Sequence, residues 1–81
     1  MERKIFLKMC EKVSGLPSGV GGVPERIPPE LLVVYDKLKY FPFYYEMKFK
    51  NGEYYELAVL HDLKANSVLY VPLEKVKKYT D

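Results

Sequence analysis

The chain has 81 residues and a mass of 9.5 kDa, enough for one core and too little for two. At 48% hydrophobic, 15% aromatic and 30% charged, it is too apolar for a disordered chain and too often broken by charge for a bilayer-spanning helix. Thirteen basic and eleven acidic residues leave a net charge of +2, too small a surplus to imply nucleic-acid binding by itself.

Residues 2–14 are rich in helix formers and end at Ser14-Gly15. Ile5, Met9 and Val13 recur every four residues, with Phe6 and Cys10 beside them, an apolar stripe of helical period. The spacing predicts a helix over 2–14 with Gly15 at its C-cap. The competing pattern is a short strand with Ile5, Leu7 and Met9 on one face. Lys8 cuts the apolar run too early for a signal-peptide core. Cys10 is the only cysteine, so no internal disulfide staples the fold, and a reducing, cytoplasmic setting is expected with no membrane association. One histidine and one cysteine cannot supply four zinc ligands, and no cofactor is expected.

Residues 14–30 hold four of the five glycines and four of the six prolines. The segment 15–30 is therefore predicted as a Gly/Pro-rich surface loop. Its length makes it a candidate contact element through Gly19, Gly21 and Gly22. It is not a phosphate cradle, because the final glycine of the dinucleotide fingerprint is missing and no Gly-Lys-Ser/Thr follows.

Pro28-Pro29-Glu30 is able to open a helix over 29–40. Leu31-Leu32-Val33-Val34-Tyr35 instead suits a buried strand at 31–36, the preferred reading because two valines before a tyrosine make a poor helix centre. Tyr40-Phe41-Pro42 is expected to break whichever element precedes it.

Phe43–Lys50 alternates Phe43, Tyr45, Met47 and Phe49 with Tyr44, Glu46, Lys48 and Lys50, the period of a half-buried strand. Asn51-Gly52 signals a hairpin, and 53–60 returns as its partner. Two registers compete. A two-residue loop pairs Lys50 with Glu53, which puts Glu56 on the apolar face and Leu57 and Val59 on the charged one. A three-residue loop with Gly52 left-handed pairs Met47 with Tyr55, Tyr45 with Leu57 and Phe43 with Val59. Exposing Leu57 and Val59 costs roughly 1.5–3 kcal/mol each, and burying an unpaired Glu56 costs more. Burial therefore favours the three-residue loop with a glycine bulge and an interior of odd-numbered residues from 43 to 59. The outer face then carries Tyr44, Glu46, Lys48, Lys50, Tyr54, Glu56, Ala58 and Leu60.

Beyond a polar connection at 62–66, strands are expected at 67–71 and 77–80, separated by a helical turn at Pro72–Val76. No repeat or second domain is visible. The chain reads as one domain over 1–81: an N-terminal helix to 14, the loop 15–30, and a β-rich core 31–81.

The chemical motifs are sparse. His61 and Asp62 are adjacent and point to opposite faces of a strand, so they make no acid–base pair, and no catalytic residue is expected. Asp36 with Glu46-Met47-Lys48 resembles the carboxylates and lysine of metal-dependent nucleases, three residues deep. Lysines interleaved with tyrosines suit single-stranded nucleic acid, but the acidic residues of the same half cancel their field.

In element order, residues 31–80 look like an SH3-like small barrel: strand, strand, tight turn, strand, strand, helical turn, short final strand. That resemblance implies an α+β, mainly antiparallel domain serving as a docking module. The alternative is a three-stranded antiparallel meander covered by two helices. The expected function is a non-catalytic interaction module that binds a protein partner, or its own copy, through a tyrosine-bearing sheet face. Tyr44, Lys48, Lys50, Tyr54 and Leu60 are its candidate contact residues.

Overall fold

The computed structural model describes residues 1–17, 19, 24–62 and 67–80. Helix α1 spans Arg3–Ser14, followed by strands β1 (Val33–Tyr35), β2 (Leu38–Lys50), β3 (Glu53–Asp62), β4 (Val68–Pro72) and β5 (Lys77–Lys78). Single 3-10 turns at Pro29–Leu31 and Leu73–Lys75 precede β1 and β5. The strands form one antiparallel sheet in the order β4-β3-β2-β1-β5. This is the expected α+β, mainly antiparallel class, but the sheet is open. Among the described residues β4 pairs with β3 and β5 with β1, at opposite edges, so no strand pair closes a barrel. The expected loop contacts at Gly21 and Gly22 fall outside the described residues, and Gly19 is half-buried.

The helix buries Phe6, Met9 and Val13, while Cys10 is half-buried. Ile5, assigned to that stripe from its spacing, is 45% exposed. The stripe starts one residue later because Phe6 is the side chain that reaches the sheet. There Phe6 and Met9 join Val33, Tyr40, Ala58, Leu60, Val71, Leu73 and Val76 in the main core. A second cluster of Val13, Leu31, Leu32 and Phe41 closes the end of α1. Gly15 caps the helix with φ −87°, a right-handed conformation open to any residue. The segment 29–40 is neither a helix nor one strand. Its 3-10 turn feeds β1, and Asp36 and Lys37, both at positive φ, turn the chain back into β2.

The hairpin differs from its expected register. Gly52 does take a positive φ, +79°, but so does Asn51 at 53°, and Lys50 faces Glu53 across a two-residue turn. Phe49 thus faces Tyr54, Met47 faces Glu56, and Tyr45 faces Ala58. Two positive angles at the turn centre are the signature of type I′, whose twist matches the strands. Burial does not set the register because the face is not covered along the whole arm. Tyr45 is the last residue of the arm packed against the core, and beyond it Met47, Phe49, Tyr54 and Tyr55 are exposed. Glu56 stays at the surface, accepting a hydrogen bond from the Tyr45 hydroxyl at 2.8 Å, with Arg3 Nε at 3.8 Å. With no burial penalty to oppose it, the Asn-Gly turn preference decides.

Pro42 explains the rest of the mismatch. It was expected to end an element, yet it lies inside β2, opposite Leu60, and the register shifts between Pro42 and Tyr44. Phe43 is the extra residue of a β-bulge, the setting in which a strand tolerates a proline without an N–H. The bulge changes which parity of β2 faces the helix, from Tyr40 to Tyr45, while β3 keeps Ala58 and Leu60 inward throughout.

Candidate functional site

The sheet face turned away from α1 carries the site. Antiparallel partners share a face, so the register places Tyr44, Val59 and Tyr70 in one row across β2, β3 and β4. The neighbouring row joins Glu46, Leu57 and Pro72, and Lys48 with Tyr55 follows towards the tip. Val59 is fully buried although it stands on this face. The two flanking tyrosines account for this, since they lean together over it and their hydroxyls hydrogen-bond at 2.9 Å.

His61, next on the same face, is 8% exposed. Its ring stacks on Phe41 at 4.7 Å and meets the edge of Phe43 at 5.9 Å. Its Nδ1–H donates to the Asp62 carbonyl at 2.8 Å, since that oxygen can only accept. The imidazole is thus a packed component under the patch. Above it Phe43, Tyr44, Tyr55, Val68 and Tyr70 are exposed, and the Lys48 ammonium lies 6.0 Å from the centre of the Tyr70 ring. This is a mixed aromatic and cationic surface exposed to solvent. Such surfaces suit contact with a partner, because tyrosine brings large, stiff, amphipathic area.

The expected contact residues separate. Tyr44, Lys48 and Lys50 share this outer face. Tyr54 lies on the opposite face, its ring 4.8 Å from that of Phe49. Leu60 is fully buried in the main core and contacts no solvent. Both corrections follow from the two-residue turn, which moves the even residues of β3 to the helix side. Tyr70, Val68, Phe43 and Tyr55 complete the patch and were missed. The alternation of Val68 and Tyr70 was visible, but their alignment with Val59 depends on the β3–β4 register, which the chain between them does not encode in any turn motif.

The grouping of Asp36 with Glu46 and Lys48 is not assembled. Asp36 sits in the turn before β2, and Glu46 lies eight residues beyond the start of that strand, roughly 26 Å along it at 3.3 Å per residue. Among the described residues no three His, Cys, Asp or Glu side chains group to hold a metal ion. Burial pushes the half-buried Cys10 thiol up to about 12, so little nucleophilic thiolate exists at neutral pH. Two hollows of about 530 and 540 Å³ flank the arm, one against Leu73 and Glu74, the other between Lys48 and Lys50, and both are open to solvent. Among the described residues no helix is long and apolar enough to cross a membrane. Comparison with protein-family models, curated proteins and solved structures finds no match to this chain.

The tyrosine bridge has a measurable signature. Donation of the Tyr44 hydroxyl to Tyr70 raises the Tyr44 pKa above its ordinary value of 10, with lesser contributions from desolvation and nearby charges. A raised folded-state pKa means that the native chain holds the phenolic proton more tightly than the unfolded one. The associated stability is present below pH 10 and is lost as pH rises through the folded value. In an ultraviolet titration Tyr44 should ionise later than an unperturbed tyrosine, and Tyr70→Phe should lower its midpoint. An unchanged midpoint in that variant would show the bridge to be absent in solution.

Proposed function

We propose that this domain is a non-catalytic interaction module that binds a protein partner through the outer sheet face. The observation that carries this reading is the exposed row of Tyr44 and Tyr70 with Phe43, Tyr55, Val68 and Lys48 around it. A contiguous aromatic patch rimmed by polar groups is uncommon on an isolated domain and marks contact sites. The strand order, with β5 returning to β1 after a 3-10 turn, supports reading the fold as an opened relative of SH3-like small barrels, a class that docks ligands on its strands and loops. A lone half-buried cysteine suits a reducing, cytoplasmic setting.

The test is site-specific photocrosslinking in the source cells. A photoreactive phenylalanine analogue at Tyr70 is expected to give a discrete protein adduct that Lys48→Glu abolishes. The same analogue at Tyr54, on the opposite face, should give none. Equal adducts from both positions would refute the reading. Nucleic acid would use the same Lys48, Lys50 and tyrosines, although Glu46 and Glu53 share their face. A retarded band with single-stranded probe at about 50 mM salt, fading at higher salt, would favour that alternative.

A further inference from the structure

The strand pairing leaves one long backbone edge open. Among the described residues, β1 pairs with β2 only through Leu38, Lys39 and Tyr40, while β2 runs on to Lys50. From Phe43 to Lys50 that edge has no described strand beside it. On the helix side of the arm, Met47 is 44% and Phe49 is 62% exposed. An uncovered edge with apolar side chains is a template for another strand.

The backbone restricts how such a strand can pair. In a two-residue hairpin the residues flanking the turn exchange both hydrogen bonds, so Lys50, Lys48 and Glu46 direct their N–H and C=O groups towards β3. Tyr45, Met47 and Phe49 therefore direct theirs to the open edge. If two copies meet antiparallel across a two-fold axis, the axis must pass through one residue for the outward groups to match. At Glu46 or Lys48 it would set like charges against each other, and at Phe49 it would oppose Lys48 and Lys50. At Tyr45 it would leave both charges unpaired. An axis at Met47 opposes Glu46 with Lys48 of the second copy, twice by symmetry, and Tyr45 with Phe49, around a central methionine pair. Opposite charges and apolar pairs are the cross-strand combinations that favour association.

We infer that this chain forms an isologous dimer by antiparallel pairing of its β2 edges, with the two-fold axis at Met47. The occupant of the edge is a second copy of this chain, and each surface patch serves both partners. The pairing makes one continuous sheet, with both helices on one face and the tyrosine patches of both copies on the other. It runs along the β2 edge and shares Lys48 with the border of the patch, but sedimentation reads self-association alone, and Glu46→Lys leaves Lys48 in place, so its failure is distinguishable from failure of the partner-binding reading above.

Sedimentation equilibrium on the intact chain tests it through charge exchange. The wild type should rise with concentration from 9.5 kDa towards twice that mass. Glu46→Lys sets two lysine pairs face to face, and Lys48→Glu sets two glutamate pairs. Each variant alone should associate about tenfold more weakly or worse. Mixed in equal amounts, the two variants restore both charge pairs and should recover the dimer. Circular dichroism verifies that each variant is folded. A wild type that remains monomeric at millimolar concentration, variants that associate as tightly as wild type, or a mixture no tighter than its components would each overturn the inference.

Discussion

Phe6→Ala is expected to remove about 3–5 kcal/mol of folding stability, the usual cost of emptying a large aromatic site in a core. Phe6 is fully buried and packs in the cluster that joins α1 to all the principal strands through Val33, Tyr40, Ala58, Leu60 and Val71. A domain of this size holds only about 5–15 kcal/mol in total, so the loss is a large fraction of it. At about 4–8 °C per kcal/mol, the thermal midpoint should fall by at least about 12 °C. Thermal unfolding followed by circular dichroism reads this directly. A fall of only a few degrees would mean that the helix contributes little to holding the sheet.

The second large effect is a contrast within β3. Leu60→Ala should cost about 2–5 kcal/mol, whereas Leu57→Ala should cost about 1 kcal/mol or less. Leu60 is fully buried under α1, and Leu57 is half-buried on the other face, between Glu46 and Pro72. Urea unfolding of the two variants gives both numbers. The register inferred from burial alone predicts the opposite order, with Leu57 inside and Leu60 outside, so this pair of substitutions separates the two arrangements cleanly.

Much of the chain was legible from its residues. The helix over 2–14, the hairpin around Asn51-Gly52, the strand at 67–71, the turn at 72–76 and the closing segment all appear within a few residues of where local patterns put them. These depend on short-range signals: helical spacing, a positive-φ turn and a proline opening a 3-10 turn. What failed required knowing where α1 ends relative to the arm. The alternation of Phe43, Tyr45, Met47 and Phe49 resembles a buried face, but only Tyr45 lies close enough to the core to be covered. The bulge at Phe43 then reversed the parity on β2, and no hydrophobic pattern reveals an inserted residue. The site suffered accordingly. Tyr44, Lys48 and Lys50 lie on the outer face as the alternation placed them, Tyr54 and Leu60 lie on the other one, and Tyr70 joins the row only through long-range pairing.

Glu56 decides the register by where its carboxylate lies. A carboxylate sealed in a core would cost several kcal/mol, enough to overrule any turn. Here Tyr45 and Arg3 hold it at the surface. The penalty vanishes, and a turn preference of smaller size sets the register of the whole arm. Both the tyrosine patch and the proposed β2 edge follow from that one turn, because it determines which side chains and which backbone groups face outwards.

Proton–proton contacts across the arm, measured by nuclear Overhauser spectroscopy in solution, test that turn most directly. The two-residue arrangement places the Cα protons of Phe49 and Tyr54 close together, and likewise those of Met47 and Glu56. Cross-peaks between these pairs are the predicted result. Cross-peaks that instead join Phe49 to Glu53 and Met47 to Tyr55 would contradict the register, the outer face and the dimer edge together.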